Sequence, residues 1–319
     1  MDTHTAESRR RLLEALHAAG FSGAIALEAG TAAIASPMRL ATEWAGFAVS
    51  TEGQRYYAKV LYEDMDPLID VARSGRASGC AAETGAAPGV RLVDAQRGVL
   101  LFDALTRPGW KWAHVDDLTA PDRLLALWAL KRKVHQGPAP DFLRSPHEDI
   151  QRLRALCKRD GVSLPTDAAW IDECVDLACA ALQSGETRHV PIHGDGVASN
   201  VMIGPQGQLC LIDFDRGGCF DPWYDVATTL NDLFQFEDEW RAGVAAWAGR
   251  CEEADYARCR LYALVDDWLC TLSASWSGAT SARQVEFTKL GQWTLLRCRQ
   301  SVQDARFEAW LRQLHGVAS

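Results

Sequence analysis

The residues with the clearest chemical potential lie within 23 positions. His193-Gly194-Asp195 opens the stretch, Asn200 follows five residues after Asp195, and Ile212-Asp213-Phe214-Asp215 closes it. Gathering Asp195, Asn200 and Asp213 around one short hairpin is costly unless something positive binds there. Carboxylate and amide oxygens suit Mg²⁺, which keeps waters and phosphate oxygens among its ligands. With Asn200 and Asp213 on the metal, Asp195 is free to orient a hydroxyl and accept its proton as a phosphoryl group moves. The same three residues have a plainer reading as caps and turn formers, the usual work of Asp and Asn. A zinc site of His193, Asp195 and Asp213 is chemically poorer, since zinc favours His and Cys. His193 is expected to pack and hydrogen-bond beneath the loop.

A hairpin must hold these groups. Val201-Met202-Ile203 has strand character, Gly204-Pro205-Gln206-Gly207 is a turn, and Gln208 to Ile212 returns. Antiparallel pairing places Asn200 and Asp213 at one open end, and Asp195 can loop over it. Upstream, Leu12, Leu13 and Leu16 alternate with Arg9, Arg10 and Glu14 on a helical period. WAGFAVST and QRYYAKVL flank Glu52-Gly53, the signature of a two-residue hairpin with Lys59 on its second strand. Asp66 and Pro67 open a predicted helix to Ala82, interrupted by Gly75 and Gly79. Two further strands are expected at 90–94 and 98–102. From about residue 121 the pattern is helical apart from the 190–215 hairpin. The expected architecture is α+β with two lobes, residues 1–103 carrying an antiparallel sheet and residues 104–319 mainly helical.

Bulk properties set outer limits. A chain of 319 residues with 48% hydrophobic and 24% charged content can bury a sizeable core. The net charge of −9 argues against nucleic acid as main partner. No apolar run is long enough to span a membrane, and the first 20 residues lack a secretory signal. The 10 cysteines form no CxxC pair and suit reduced, mostly buried thiols in a cytoplasmic protein. There is no Walker A tripeptide, and the G-D-G at 194–196 is followed by Ser199 where a dinucleotide fingerprint needs Gly.

The pattern H-G-D-x-x-x-x-N followed by I-D-F-D resembles the catalytic and metal loops of the protein-kinase-like small-molecule kinases, which include aminoglycoside phosphotransferases and choline and ethanolamine kinases. DPWYDVA at 221–227, GAAPGV at 85–90 and LKRKVHQGP at 130–138 extend the likeness. It implies a two-lobed kinase-like fold, ATP and Mg²⁺ as cofactors, Asp195 as base, Asn200 and Asp213 as metal ligands, and His193 and Asp225 bracing the loop. Lys59 matches the lysine that touches the α- and β-phosphates. Its carboxylate partner is expected on the next helix, with Asp70 the first choice and Glu83 the reserve. Gly30 and Thr31 offer a thin phosphate-covering turn, and the hinge at 100–106, with Phe102 and Ala104, would take the adenine.

The implied reaction is transfer of the γ-phosphoryl group to a hydroxyl of a small, cationic molecule. A choline- or ethanolamine-like amino alcohol is the first expectation, with an aminoglycoside or sugar as alternative. Aromatic faces attract such cations, so Trp223, Trp268 and Trp276, with Asp215 and Asp267, are the candidate acceptor pocket, against the plain alternative of core packing. A rival of another class is a kinase-like binding protein without turnover.

Overall fold

The computed structural model describes residues 3–30, 42–105, 109–185, 188–283 and 285–315. Thr31 of the expected phosphate-covering turn lies outside them. The chain begins with α1 (Thr3–Ala18), then β1 (Ala26–Ala29), β2 (Trp44–Thr51), β3 (Gln54–Leu61), a 3₁₀ turn (Glu63–Met65), α2 (Val71–Glu83), β4 (Val90–Asp94) and β5 (Val99–Asp103). The five strands form one antiparallel sheet in the order β1-β2-β3-β5-β4. The β2–β3 turn has Glu52 and Gly53 both at positive φ, the backbone of the turn whose twist matches a hairpin. α1 packs Leu12, Ala15 and Leu16 beneath the sheet with Phe47, Val49 and Leu101.

One element differs from expectation. The helix predicted from Asp66 begins instead at Val71, because Asp70 supplies the cap by accepting from the Arg73 amide at 2.9 Å. That oxygen satisfies an amide with no intrahelical partner. The residues after the 3₁₀ turn, Pro67 included, form irregular chain.

The remainder is helical around two small sheets. It comprises β6 (Lys111–Trp112), α3 (Val115–Leu118), α4 (Pro121–His135), α5 (Pro146–Arg159), α6 (Ala168–Gln183), β7 (Val190–Ile192), β8 (Val201–Ile203), β9 (Leu209–Leu211), β10 (Gly218–Phe220), α7 (Pro222–Leu233), α8 (Glu237–Ala248), α9 (Glu253–Thr280), α10 (Phe287–Val302) and α11 (Phe307–His315). β8 and β9 pair as read from sequence, and β6 joins them at the edge. β7 pairs with β10. The long α9 is the centre of this region, with Tyr256, Leu264, Trp268 and Leu272 buried. The ten cysteines form no disulfide. Among the described residues no helix is long and apolar enough to cross a membrane.

Candidate active site

β7 delivers the chain into His193-Gly194-Asp195. Gly194 sits at φ +76°, and a side chain there would place its Cβ 2.0 Å from the Arg216 carbonyl oxygen. Only glycine fits that turn. Asp225, on the first turn of α7 and fully buried, then gathers the loop. Its carboxylate accepts from the amides of His193 (3.0 Å) and Gly194 (2.8 Å), and meets His135 Nε2 (2.8 Å) and Lys131 Nζ (3.3 Å). Burial alone would raise the Asp225 pKa, but Lys131 and His135 outweigh it and hold the carboxyl far below the usual range. Lys131, on α4, was not singled out from sequence, yet it is itself buried and also reaches the Asp195 carbonyl.

His193 is buried, with one ring nitrogen 2.7 Å from the Asp195 carbonyl and the other 2.8 Å from that of Ile212. It therefore ties the Asp195 loop to the strand that ends at Asp213. Asn200 closes the tie, its carbonyl accepting from the Ile212 amide at 3.0 Å. Asp195 itself is half-buried, and one of its oxygens accepts from Val197 N at 2.9 Å. Asp213 adopts φ +67°, uncommon for a residue with a side chain, and accepts from Lys59 Nζ at 2.8 Å.

Lys59 projects from β3 between two carboxylates. Besides Asp213 it lies 3.4 Å from Asp215, and over the Trp44 ring at 4.5 Å. The Trp44 indole N–H donates to Asp215 in turn. Burial would lower the Lys59 pKa, but the two aspartates raise it. In the crowded pair, burial and the neighbouring Asp213 push Asp215 up, while Lys59 holds Asp213 low against its own burial.

Asp70 and Glu83 are thus not the lysine's partners. Asp70 caps α2 at the surface, and Glu83 is exposed at its far end. The buried face of α2 carries Val71, Ser74, Gly75, Ala77, Ser78 and Ala81. Such small residues let the helix approach the sheet, where a Cβ on Gly75 would come within 2.5 Å of Val93, and they leave no acid to pair with Lys59.

Two cavities flank these groups. The first, of about 420 Å³, is walled by Val49, Lys59, Phe102, Ala104, Trp112 and Leu211 among others. Its mostly apolar lining with a few polar groups is typical of a small-molecule site. Phe102 and Ala104 fall where the hinge was expected, although the Ala104 amide is engaged with the Arg55 carbonyl at 3.3 Å. Gly30 lines neither cavity; its amide bonds the Gly46 carbonyl, and it packs against Tyr57. The second cavity, of about 240 Å³, holds Asp195, Asn200, Asp215, Arg216, Asp232 and Trp293. Glu43 and Asp213 line both cavities and so stand where the two meet.

The expected aromatic pocket is not assembled. Trp268 is fully buried and donates to Asp172 at 2.6 Å, and Trp276 is buried and donates to Asp160 at 2.7 Å. Trp223 packs half-buried on the helical core. None of the three lines either cavity. Asp267 is buried with Arg297 at 2.9 Å, and burial pushes its carboxyl up to about 6 despite that partner. The indole that does line the second cavity is Trp293, which is 43% exposed. Asp232 was also missed. It lies two helical turns after Asp225, hence on the same face of α7, a spacing that could have revealed it. It accepts from the Ala198 amide at 2.8 Å, and burial pushes it up to about 6, with Asp195 and Asp266 adding to the rise and Arg297 opposing it. Glu43 and Trp44 stand outside any motif.

The phosphotransferase enzyme family profile matches residues 39–262. Among solved structures, a choline/ethanolamine kinase family protein from Mesorhizobium loti is similar at 19% identity, over 98% of this chain and 100% of that one, with a TM-score of 0.75. The choline kinase LicA from Streptococcus pneumoniae, also solved in complex with AMP, is similar at 14% identity over 92% and 98%, with a TM-score of 0.71. A microcompartment-associated aminopropanol kinase is similar at 20% identity over 98% and 100%, with a TM-score of 0.62. No curated protein sequence matches. These likenesses establish a kinase-like fold.

Proposed function

Because the chain belongs to the phosphotransferase enzyme family, acting as a small-molecule kinase, we propose that it transfers the γ-phosphoryl group of ATP to the hydroxyl of a small amino alcohol carrying a primary ammonium. The observation that carries this reading is the meeting of the two cavities at Asp213 and Glu43, with Lys59 facing the first cavity and Asp195 the second. Nucleotide in the first would present its terminal phosphate to an acceptor in the second.

Asp195 would take the hydroxyl proton, and its orientation follows from the Val197 amide and from the loop that Asp225 braces. Lys59 would hold phosphate oxygens. Asn200 and Asp213 fit Mg²⁺, since one amide and one carboxylate leave room for waters and phosphate oxygens. When bound, the ion would neutralise charge on the phosphates. Most of the rate gain would come from positioning and charge compensation.

The acceptor class follows from the second cavity. The arginines on its wall already have acidic partners: Arg216 with Asp266 (3.0 Å), Arg144 and Arg152 both with Asp149 (2.7 and 3.1 Å), and Arg297 with Asp267. Asp232 has no cation bonded to it among the described residues, so an ammonium on the acceptor would complete it. A single indole does not make an aromatic cage, which favours an N–H-bearing ammonium over a quaternary one. The small volume favours an amino alcohol over an aminoglycoside.

The test is Mg²⁺-dependent ADP release from ATP with ethanolamine, 1-amino-2-propanol, choline, several aminoglycosides and several sugars, with Asp195→Ala alongside. Turnover with a primary amino alcohol, lost in the variant, is the expected result. Choline preferred over ethanolamine would overturn the ammonium assignment. ATP binding without turnover for any acceptor would favour the binding-only rival.

A further inference from the structure

Besides the Lys59, Trp44 and Arg152 bonds that join the sheet side to the helical region, two connections lie at opposite ends of β3. The covalent connection leaves β5 at Asp103, which pairs with Tyr56 at one end of β3. The second connection is at the other end, where Trp44 pairs with Leu61. Five residue steps along β3 carry Tyr56 to Leu61, roughly 17 Å of strand. There the segment between α9 and α10 docks onto the sheet side. Arg283 Nε lies 3.0 and 2.8 Å from the two Asp64 oxygens, its Nη2 donates to the Thr42 carbonyl at 2.7 Å, and its guanidinium covers the Tyr62 ring at 4.1 Å. The Ser281 hydroxyl also donates to Asp64. Just beyond, Phe287 is buried in one cluster with Trp44, Leu61, Met65, Val71 and Leu100.

We infer that Arg283 is a positioning residue, a latch that holds the Thr42-Glu43-Trp44 segment against the helical region and so couples the two cavities. Three observations converge. The Arg283 side chain is 7% exposed, with a carboxylate, a carbonyl and a ring all engaged, which is a built contact and not a surface ion pair. The held segment carries Glu43, shared by both cavities, and Trp44, which bonds Asp215 beside Lys59. The helix that begins at Phe287 supplies Leu290, Trp293, Thr294 and Arg297 to the wall of the second cavity. A ligand pressing on α10 is therefore linked through this connector to the groups beside Lys59. Opening the sheet away from the helices at this end of β3 breaks the Arg283 bonds to Asp64 and the Thr42 carbonyl.

The coupling to an acceptor rests on the proposed function; the latch does not, and the test separates them. Hydrogen exchange would be measured on the full chain, alone and with Mg²⁺ and a non-hydrolysable ATP analogue, for wild type, Arg283→Lys, Arg283→Met and Asp64→Asn. In Arg283→Met and Asp64→Asn, exchange of amides 42–48 and 62–65 is expected to rise about tenfold or more, because a local opening now breaks fewer bonds. Residues 190–233 should keep their protection. Arg283→Lys, which keeps the charge but cannot span Asp64 and the Thr42 carbonyl together, should fall between. In turnover with ethanolamine, Arg283→Met should raise both the acceptor KM and the ATP KM and lower kcat. Unchanged exchange at 42–48, or a rise spread over the whole chain, would overturn the latch. Local exchange that rises while both KM values and kcat stay at wild-type levels would overturn the coupling. If wild type fails to turn over, the proposed function fails, and the exchange result still decides the latch.

Discussion

The Asp225 knot and the Lys59 cluster are built from the same ingredients and reach opposite balances. Asp225 is one carboxylate met by two amides, a lysine and a histidine, with no face left open. At Lys59, two carboxylates share one ammonium, and Glu43 stands close by. The first site is electrically complete and fixes a loop. The second carries surplus negative charge where the cavities meet, and burial with the neighbouring Asp213 raises the Asp215 and Glu43 carboxyls. A closed carboxylate serves structure here, and an open one is left for a ligand.

Breaking the closed site should have the largest effect. Asp225→Ala strands a buried lysine and two amides, so stability should fall by about 3–5 kcal/mol, read as a lower urea midpoint. Asp213→Asn should do the reverse: turnover falls by about 10²–10³ or more, while the unfolding free energy stays within about 1 kcal/mol. A comparable stability loss in both variants would erase the contrast.

Asp232 sharpens the comparison through pH. It is pushed up to about 6, so below that pH it loses the charge that would hold an ammonium, and the KM for a primary amino alcohol should rise on acidification. Asp232→Asn should flatten that profile. For stability the sign is opposite. A carboxyl with raised folded-state pKa contributes stability that is complete below the ordinary carboxylate range near 4 and lost as pH rises through about 6. The variant's unfolding free energy should therefore vary less than wild type over that window. The smallest effect on turnover is expected for Trp276→Phe. It removes the bond to Asp160 and part of a buried ring, costing about 1–3 kcal/mol, and leaves the acceptor KM unchanged; a raised KM would return Trp276 to the acceptor site.

Much of the site was legible because its geometry is local. The β8–β9 hairpin brings Asn200 and Asp213 together through pairing alone, and Glu52-Gly53 dictates its own turn. The partner of Lys59 was not legible, since it lies 154 residues away and depends on how the sheet meets the helices. The tryptophans misled for a related reason. Trp268 and Trp276 sit on α9, a helix buried on nearly every side, so helical period cannot tell a core face from a pocket face. The start of α2 was misplaced because Asp66-Pro67 and Asp70 are both acceptable openings, and only the Asp70 to Arg73 bond decides between them.

α9 carries one more consequence. Asp266, Leu269, Cys270 and Ser273 face the second cavity, at the spacing of a single helical stripe. Its other faces hold the core through residues such as Trp268 and Leu272. At Leu269 and Ser273 the lining of this cavity is separable from folding, whereas Asp266 also holds Arg216 and the buried Tyr224 hydroxyl. Under the proposed function, substitutions at Leu269 and Ser273 would reshape the acceptor chamber while the scaffold stays intact, which makes them the natural place for a lineage, or an engineer, to explore new substrates.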